Sequence, residues 1–249
     1  MTTAPAAVEL RHVSKAFGAL RVLDDVCLTV PPARAVCILG RSGTGKSVTL
    51  KHIVGLLQPD AGEVLVEGED ITRLSRADLS RVRRRIGLLF QNAALFDSIS
   101  VGENVAFPLR RHTKWPDERI RARAQDLLAQ VGLEREYDKM PADLSGGMKK
   151  RAGLARALVL DPPIVLADEP SAGLDPITAG EIDALLVALN DHARTTLIVV
   201  THNIPSARVI GDELVFLHEG RIIAQGDAAT LERSDIPLVR QFMRSDNAG

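Results

Sequence analysis

The sequence predicts an α/β fold, a mostly parallel β-sheet with helices on both faces. Three observations carry that prediction. The runs Ala35–Leu39, Ile86–Phe90, Ile164–Ala167 and Thr196–Val200 are almost continuously apolar, the mark of strands buried on both faces. The stretches between them repeat apolar residues at helical spacing. At 249 residues, 45% hydrophobic and 25% charged, the chain has the length and composition to bury a large core.

The elements follow in order. Residues 1–7 are small and polar and read as a frayed end. Val8–Val13 and Val22–Val30 read as antiparallel strands joined by a turn at Gly18, the second ended by Pro31-Pro32. A Gly-rich turn after Leu39 opens a helix over about 46–57, broken by Gln58-Pro59-Asp60-Ala61-Gly62, after which Glu63–Glu67 resumes strand alternation. Residues 73–85 hold six arginines and one acid, Asp78. Ile120, Ala124, Leu127, Leu128 and Val131 share one helix face after Pro116, with Asp117 and Glu118 in the first turn. A second helix runs from Gly146 to about Leu160. A third runs from Pro176 to about Asn190, lined by Ile182, Leu185, Leu186 and Leu189. Glu213–Leu217 and Arg221–Gln225 form a hairpin around Glu219-Gly220.

The organisation expected is one domain over 8–242. Its α/β core covers about 8–90 and 161–232, and a helical lobe of about 91–160 is inserted into it. An antiparallel β subdomain comes first, and residues 1–7 and 243–249 are flexible ends. The longest apolar run, Ala184–Leu189, falls far short of the roughly 20 residues of a membrane-spanning helix. The start lacks the basic and apolar regions of a secretory signal. Cys27 and Cys37 sit in strand-like runs and read as buried small hydrophobes, which suits a cytosolic compartment. With 31 Lys+Arg against 32 Asp+Glu, the net charge of −1 gives no global pull toward nucleic acid, so the arginine-rich segment reads as a solvated helix face.

Gly40-Arg41-Ser42-Gly43-Thr44-Gly45-Lys46-Ser47 fits the P-loop pattern between a buried strand and a helix. Its glycines let the backbone curl so that N–H groups point at phosphate oxygens, and the helix N-terminus adds its positive end. Lys46 would neutralise the β- and γ-phosphates, and the Ser47 hydroxyl would bind Mg²⁺. No guanine-specific N-K-x-D motif accompanies it. Ile164–Ala167 ends in Asp168-Glu169. Neighbouring strand residues face opposite ways, so two different jobs are expected: Asp168 holds Mg²⁺, and Glu169 orients or deprotonates the attacking water. Leu144-Ser145-Gly146-Gly147-Met148 opens another helix with bare N–H groups, a second anion site that makes sense if two copies pair head to tail.

With these motifs in order, the sequence resembles the ATP-binding-cassette (ABC) family of ATPases over roughly residues 8–232. The resemblance implies a P-loop NTPase core, ATP and Mg²⁺ as cofactors, and a head-to-tail homodimer. It places Phe17 where an aromatic stacks on adenine and Gln91 as the Q-loop glutamine serving phosphate and Mg²⁺. Leu144–Met148 matches the signature, with Met148 in place of Gln, and Ser145 and Gly147 would reach the partner's γ-phosphate. Ser171-Ala172-Gly173-Leu174-Asp175 matches the D-loop, in which Asp175 would link the two sites. His202 matches the switch histidine that contacts the γ-phosphate, beside the catalytic base Glu169.

The stretch Gln91–Arg110, LSGGMKKRAGLARAL, SAGLDPIT and Pro237–Phe242 look like the ATPases of lipid-asymmetry (Mla) and mammalian-cell-entry transport systems of bacteria and plastids. That resemblance implies a phospholipid or related hydrophobic cargo, with integral-membrane permease subunits and a lipid-binding mammalian-cell-entry-type subunit as partners. The motor would lie on the cytoplasmic face of the inner membrane, peripheral through the permease. Leu95, Phe96, Val101, Val105 and Phe107 would supply apolar contacts to a permease helix. The alternatives are a cassette for uptake of amino acids or other small solutes, and a non-transport cassette acting on DNA or ribosomes. The latter would need a long coiled-coil insertion or a second cassette.

Overall fold

The computed structural model describes residues 5–245. The flexible ends expected at 1–4 and 246–249 lie outside them. Two sheets organise the chain. β1 (Val8–Phe17), β2 (Leu20–Val30), β4 (Ala61–Val66) and β5 (Glu69–Asp70) form an antiparallel sheet in the order β2-β1-β4-β5. β3 (Ala35–Leu39), β6 (Ile86–Leu89), β7 (Ile164–Asp168), β8 (Thr196–Thr201), β9 (Glu213–His218) and β10 (Arg221–Gly226) form the second, in the order β10-β9-β3-β8-β7-β6. Within it β9, β3, β8, β7 and β6 are parallel, and only the β9–β10 hairpin is antiparallel. Alternate residues of β3 serve opposite cores: Ala35, Cys37 and Leu39 on one side, Val36 and Ile38 on the other. That two-sided burial is why these strands read as unbroken apolar runs.

The helices are α1 (Lys46–Ile53), α2 (Arg76–Arg83), α3 (Val101–His112), α4 (Asp117–Gln130), α5 (Gly146–Leu158), α6 (Pro176–Ala193), α7 (Ile204–Ile210), α8 (Ala228–Glu232) and α9 (Pro237–Arg244). α3, α4 and α5 pack on one another, and α5 also packs on β6. α1 stops earlier than the sequence suggests because Gly55 takes a left-handed backbone, φ 67, just past the end. α7 has no apolar signal long enough to announce it. It is started by Asn203, whose side chain accepts from the Ser206 N–H, with Pro205 in the first turn.

Three expectations are corrected. Residues 5–7 are not frayed throughout: Ala7 is buried, donates to Val30 O at 2.9 Å and accepts from Glu67 N–H at 2.9 Å, because it extends the sheet. Residues 243–245 are not a loose tail either. Met243 is buried in the core, and its carbonyl accepts from Arg208 at 2.8 Å. Cys37 is buried as expected, but Cys27 is exposed, since it alternates along β2 with the buried Val26 and Leu28 and so faces outward. Among the described residues, no helix is long and apolar enough to cross a membrane.

Three of the six arginines in the arginine-rich segment have partners within the fold. Arg81 pairs with Glu69 and Arg85 with Glu67, while Arg83 donates to the carbonyls of Val54 and Gly55 at 3.0 and 2.7 Å.

Candidate active site and family

Parallel topology places the carboxyl ends of β3, β7 and β8 side by side, and the segments leaving them build one site. Gly40–Gly45 connects β3 to α1. A Cβ on Gly40 would lie 2.3 Å from Leu217 O, and one on Gly45 2.8 Å from Val22 O, so side chains there have no room. Gly43 takes φ 82, open only to glycine without strain. The Arg41 carbonyl accepts from the Thr44 hydroxyl at 2.9 Å, while Ser42 lies at the exposed tip. The amides of Gly43, Gly45, Lys46 and Ser47 find no acceptor among the described residues, which leaves a nest of donors suited to an anion.

Lys46 is buried, and its Nζ donates to Gly40 O at 2.9 Å and Arg41 O at 3.1 Å. It also lies 3.7 Å from Glu169 Oε1. Burial holds the ammonium below the ordinary lysine range, and Glu169 offsets part of that. The Ser47 hydroxyl donates to Asp168 Oδ1 at 2.9 Å. Burial pushes the Asp168 carboxyl above its usual range, opposed by the Ser47 hydrogen bond and reinforced by the neighbouring Glu169 charge. A hydroxyl and a carboxylate converging beside a nest of N–H donors form a hard-oxygen set that fits Mg²⁺.

Glu169 departs from the simple alternation expected of it. β7 ends at Asp168, and Glu169 has a left-handed backbone, φ 48. The two carboxylates therefore do not diverge across the sheet but both face the cradle, with different partners. Glu169 is buried. Its Oε1 lies 2.9 Å from His202 Nδ1, and its Oε2 accepts from the Thr201 hydroxyl at 3.1 Å and the His202 N–H at 3.3 Å. Its amide donates to Val200 O at 2.9 Å, and its carbonyl accepts from Lys150 Nζ at 2.9 Å. An unfavourable backbone conformation is thus held from four directions, as strained functional residues require.

Lys150 and Thr201 were missed as site residues. Lys150 is buried on α5 and also donates to Ala172 O at 2.8 Å, tying the helix after the signature to the turn after β7. Nothing in the local pattern LSGGMKK sets it apart from its neighbour Lys149, and only the tertiary contact does.

Other predicted residues stand apart from this cluster. Phe17, at the end of β1, is 47% exposed with Lys15 Nζ 5.6 Å from its ring centre. Gln91 is exposed in the turn after β6 and makes no hydrogen bond to Ser47 or Asp168. That turn is nonetheless tied to α5 by hydrogen bonds. Ala93 and Ala94 both have left-handed backbones, and Arg156 of α5 donates to their carbonyls at 2.6 and 2.7 Å.

Ser145 caps α5 by accepting from the Met148 N–H at 3.2 Å. Gly146 is exposed. Gly147 is buried, and a Cβ there would lie 2.4 Å from Thr178 Cγ2. Met148 packs against the core rather than standing free. Asp175 caps α6, accepting from the amides of Ile177 and Thr178 and from the Thr178 hydroxyl. These bonds hold its carboxyl below the usual range, the Thr178 hydroxyl contributing most.

The five apolar positions after the Gln91 turn divide. Val101 and Val105 are fully buried, and Leu95 packs partly against the same core. Phe96 and Phe107 remain half-exposed, their ring centres 4.9 Å apart. With Arg84, Phe90, Pro108 and His112 they line a groove of about 480 Å³. Buried Asn104 holds one wall, bonding Phe96 N–H at 2.7 Å and the carbonyls of Phe96, Ile99 and Ser100.

This arrangement has known relatives. Residues 23–172 match the family described as ABC transporter. The chain belongs to the ABC transporter family. It is 44% identical over 242 residues to the probable ribonucleotide transport ATP-binding protein mkl of Mycobacterium tuberculosis (strain ATCC 25618 / H37Rv), covering 97% of this chain and 67% of that protein. It is 42% identical over 236 residues to the intermembrane phospholipid transport system ATP-binding protein MlaF of Escherichia coli (strain K12), covering 95% of this chain and 88% of that protein. Among solved structures, the ATP-binding cassette MJ0796, a dimer in a post-hydrolysis state bound to ADP and Pi, superposes with a TM-score of 0.83 at 36% identity. It covers 88% of this chain and 98% of its own. CbiO1 of Clostridium perfringens, part of the ABC transporter complex cbiONQ, gives a TM-score of 0.83 at 30% identity, covering 98% and 97%. The chain is thus an ABC ATPase, an ATP-binding and ATP-hydrolysing transport motor of a family whose cassettes form dimers and work with membrane permeases.

Proposed function

We propose that this ABC ATPase drives transport of phospholipid or related hydrophobic molecules between membranes or leaflets. The observation that carries the cargo is the 42% identity to MlaF across nearly the whole of both chains. The groove that presents Phe96 and Phe107 supports the mechanical half of the reading, as a seat for a short helix of an integral-membrane permease. The motor then lies on the cytoplasmic face of the inner membrane, held there by the permease. A lipid-binding mammalian-cell-entry-type subunit completes the assembly.

Phe17 stacks on adenine. Gly40–Gly45, with the amides of Lys46 and Ser47, surround the phosphates, and the Lys46 ammonium neutralises the β- and γ-phosphates. Ser47 and Asp168, with Gln91 reaching in from its turn, would hold Mg²⁺, which would supply positive charge opposite the phosphoryl oxygens. Glu169 accepts a proton from the attacking water, and His202 orients that carboxylate while contacting the γ-phosphate. Ser145, Gly146 and Gly147 meet the γ-phosphate held by a second copy, packed head to tail, and Asp175 bridges the two sites. In the single chain the Asp175 carboxylate is occupied as a helix cap, so it bridges without giving up that role or by exchanging it.

A second reading, transport of a small solute, is favoured by the name and 44% identity of mkl. Purification in mild detergent, with mass spectrometry of bound chains and lipids, separates the two. Co-purifying permease chains with bound phospholipid, and ATPase activity raised by phospholipid, are the expected results. Activity raised by ribonucleotides or other small solutes instead overturns the lipid assignment. A freely soluble protein whose ATPase rises with DNA or ribosomes overturns the transport role.

A further inference from the structure

The antiparallel sheet carries a second set of reactive side chains that takes no part in the phosphate site. Between the pairs Leu10↔Leu28 and Val13↔Val26, two residues of β1, Arg11 and His12, oppose Cys27 alone on β2. This is a β-bulge, which re-aims side chains. His12 and Asp25 both have left-handed backbones, φ 53 and 57. The result brings three ligand-type groups to one outer face. His12 Nδ1 lies 2.8 Å from Asp25 Oδ1 and 3.6 Å from Cys27 Sγ, and the three ligand atoms lie within 4.8 Å of one another.

We propose that His12, Asp25 and Cys27 form a binding site for a thiophilic divalent metal of the zinc type. Zinc bonds to nitrogen, oxygen and thiolate sulfur give tetrahedral edges of about 3.3–3.7 Å between ligand atoms. The nitrogen–sulfur separation already matches. The nitrogen–oxygen pair must open by about half an ångström to reach such an edge, a small movement for exposed side chains. A single ring nitrogen carries one proton at most, so Nδ1 can only share that proton between Asp25 and Cys27, whereas one cation satisfies all three lone pairs.

The surroundings support the ligands as outer partners of a metal site do. The His12 N–H donates to Cys27 Sγ at 3.3 Å, stabilising negative charge on sulfur. The Asp25 N–H donates to Ser14 Oγ at 3.0 Å, holding the turn in β2. Among the described residues, no lysine or arginine forms an ion pair with Asp25. A mixed sulfur, nitrogen and oxygen set selects against Mg²⁺ and Ca²⁺ and for zinc-like ions. Three protein ligands on an exposed face leave the fourth position to water or to an outside donor.

The test is a titration of untagged, chelator-stripped, nucleotide-free protein with Co²⁺, followed by Zn²⁺. One Co²⁺ per chain is expected, with a thiolate-to-cobalt charge-transfer band that Zn²⁺ displaces. Cys27→Ser should remove the band, and His12→Ala or Asp25→Ala should each weaken binding at least about tenfold. A second measurement needs no variant: Zn²⁺ should protect Cys27 from alkylation, with Cys37 already shielded by burial. A protein that shows no charge-transfer band, or that binds equally well as Cys27→Ser, overturns the proposal. So does unchanged alkylation in saturating Zn²⁺.

Discussion

At the scale of single residues, the site rests on Glu169. Its buried carboxylate is met by His202, Thr201 and Lys46, and its backbone is held in a conformation that non-glycine residues rarely take. Glu169→Gln should lower ATP turnover by about 10²–10⁴-fold, the range for loss of a general base, while ATP binding measured by fluorescence titration stays near normal. Near-normal hydrolysis would remove Glu169 from that role. Lys46→Ala acts on a different quantity. It deletes charge-assisted hydrogen bonds worth about 1.5–3 kcal/mol, so nucleotide affinity should drop roughly 10–100-fold. The P-loop residues and the Asp168-Glu169 pair were legible in the sequence because their chemistry depends on spacing along a few residues. Lys150 was not, because its two acceptors, the carbonyls of Glu169 and Ala172, lie about twenty residues away in the chain and meet it only through packing.

At the scale of elements, helix starts organise the site. Ser145 caps α5 and Asp175 caps α6, and the two helices meet where Gly147 faces Thr178. Gly147→Ala should lower the midpoint of thermal unfolding, at a cost of about 1–3 kcal/mol for overpacking. Adding Thr178→Ser removes the methyl that the new Cβ would strike and keeps the hydroxyl that bonds Asp175, so the double variant should recover most of the loss. Equal destabilisation in the single and double variants would show that the close approach is not the cause. The expected helical lobe illustrates the limit of periodicity. α4 was read from its apolar stripe and first-turn acids, and α5 from the Ser145-Gly146-Gly147 turn that opens it. α3 contains Pro108 and a polar Asn104 at a fully buried position, so its pattern is broken where the fold needs it most. Asn104 is there to bond the loop of residues 96–100, a requirement invisible until that loop is placed.

At the scale of the whole molecule, the two anion-binding turns proposed on one chain call for a second copy. With ATP bound, Glu169→Gln should sediment as a dimer, and a monomer under those conditions would argue against the head-to-tail arrangement. Stability should also depend on pH through Asp183. This carboxylate is buried on α6, its Oδ1 has no hydrogen-bond partner, and burial raises its pKa above the ordinary value. The folded chain then binds more protons than the unfolded chain between the ordinary and the raised pKa, so stability falls as pH rises through that window. The ionised form carries its full cost above the raised pKa and none below the ordinary one. Asp183→Asn should therefore raise the unfolding midpoint at neutral pH, and the gain should vanish in acid. A gain that persists unchanged at low pH would place the cost elsewhere.

By itself the sequence determined the strand runs, the P-loop, the acid pair, the signature and the family they announce. Each of these is a local pattern, set by side-chain period or by spacing within a few residues. The tertiary structure decided what those pieces touch. It turned Asp168 and Glu169 toward one cradle through a left-handed residue at the end of β7, and it brought Lys150 and Thr201 to Glu169. It buried Val101 and Val105 while leaving Phe96 and Phe107 to line a groove, and it drew His12, Asp25 and Cys27 together across a bulge. The physical reason is the same in each case. Contacts between residues far apart in the chain depend on how strands register and helices pack, and no local spacing records that.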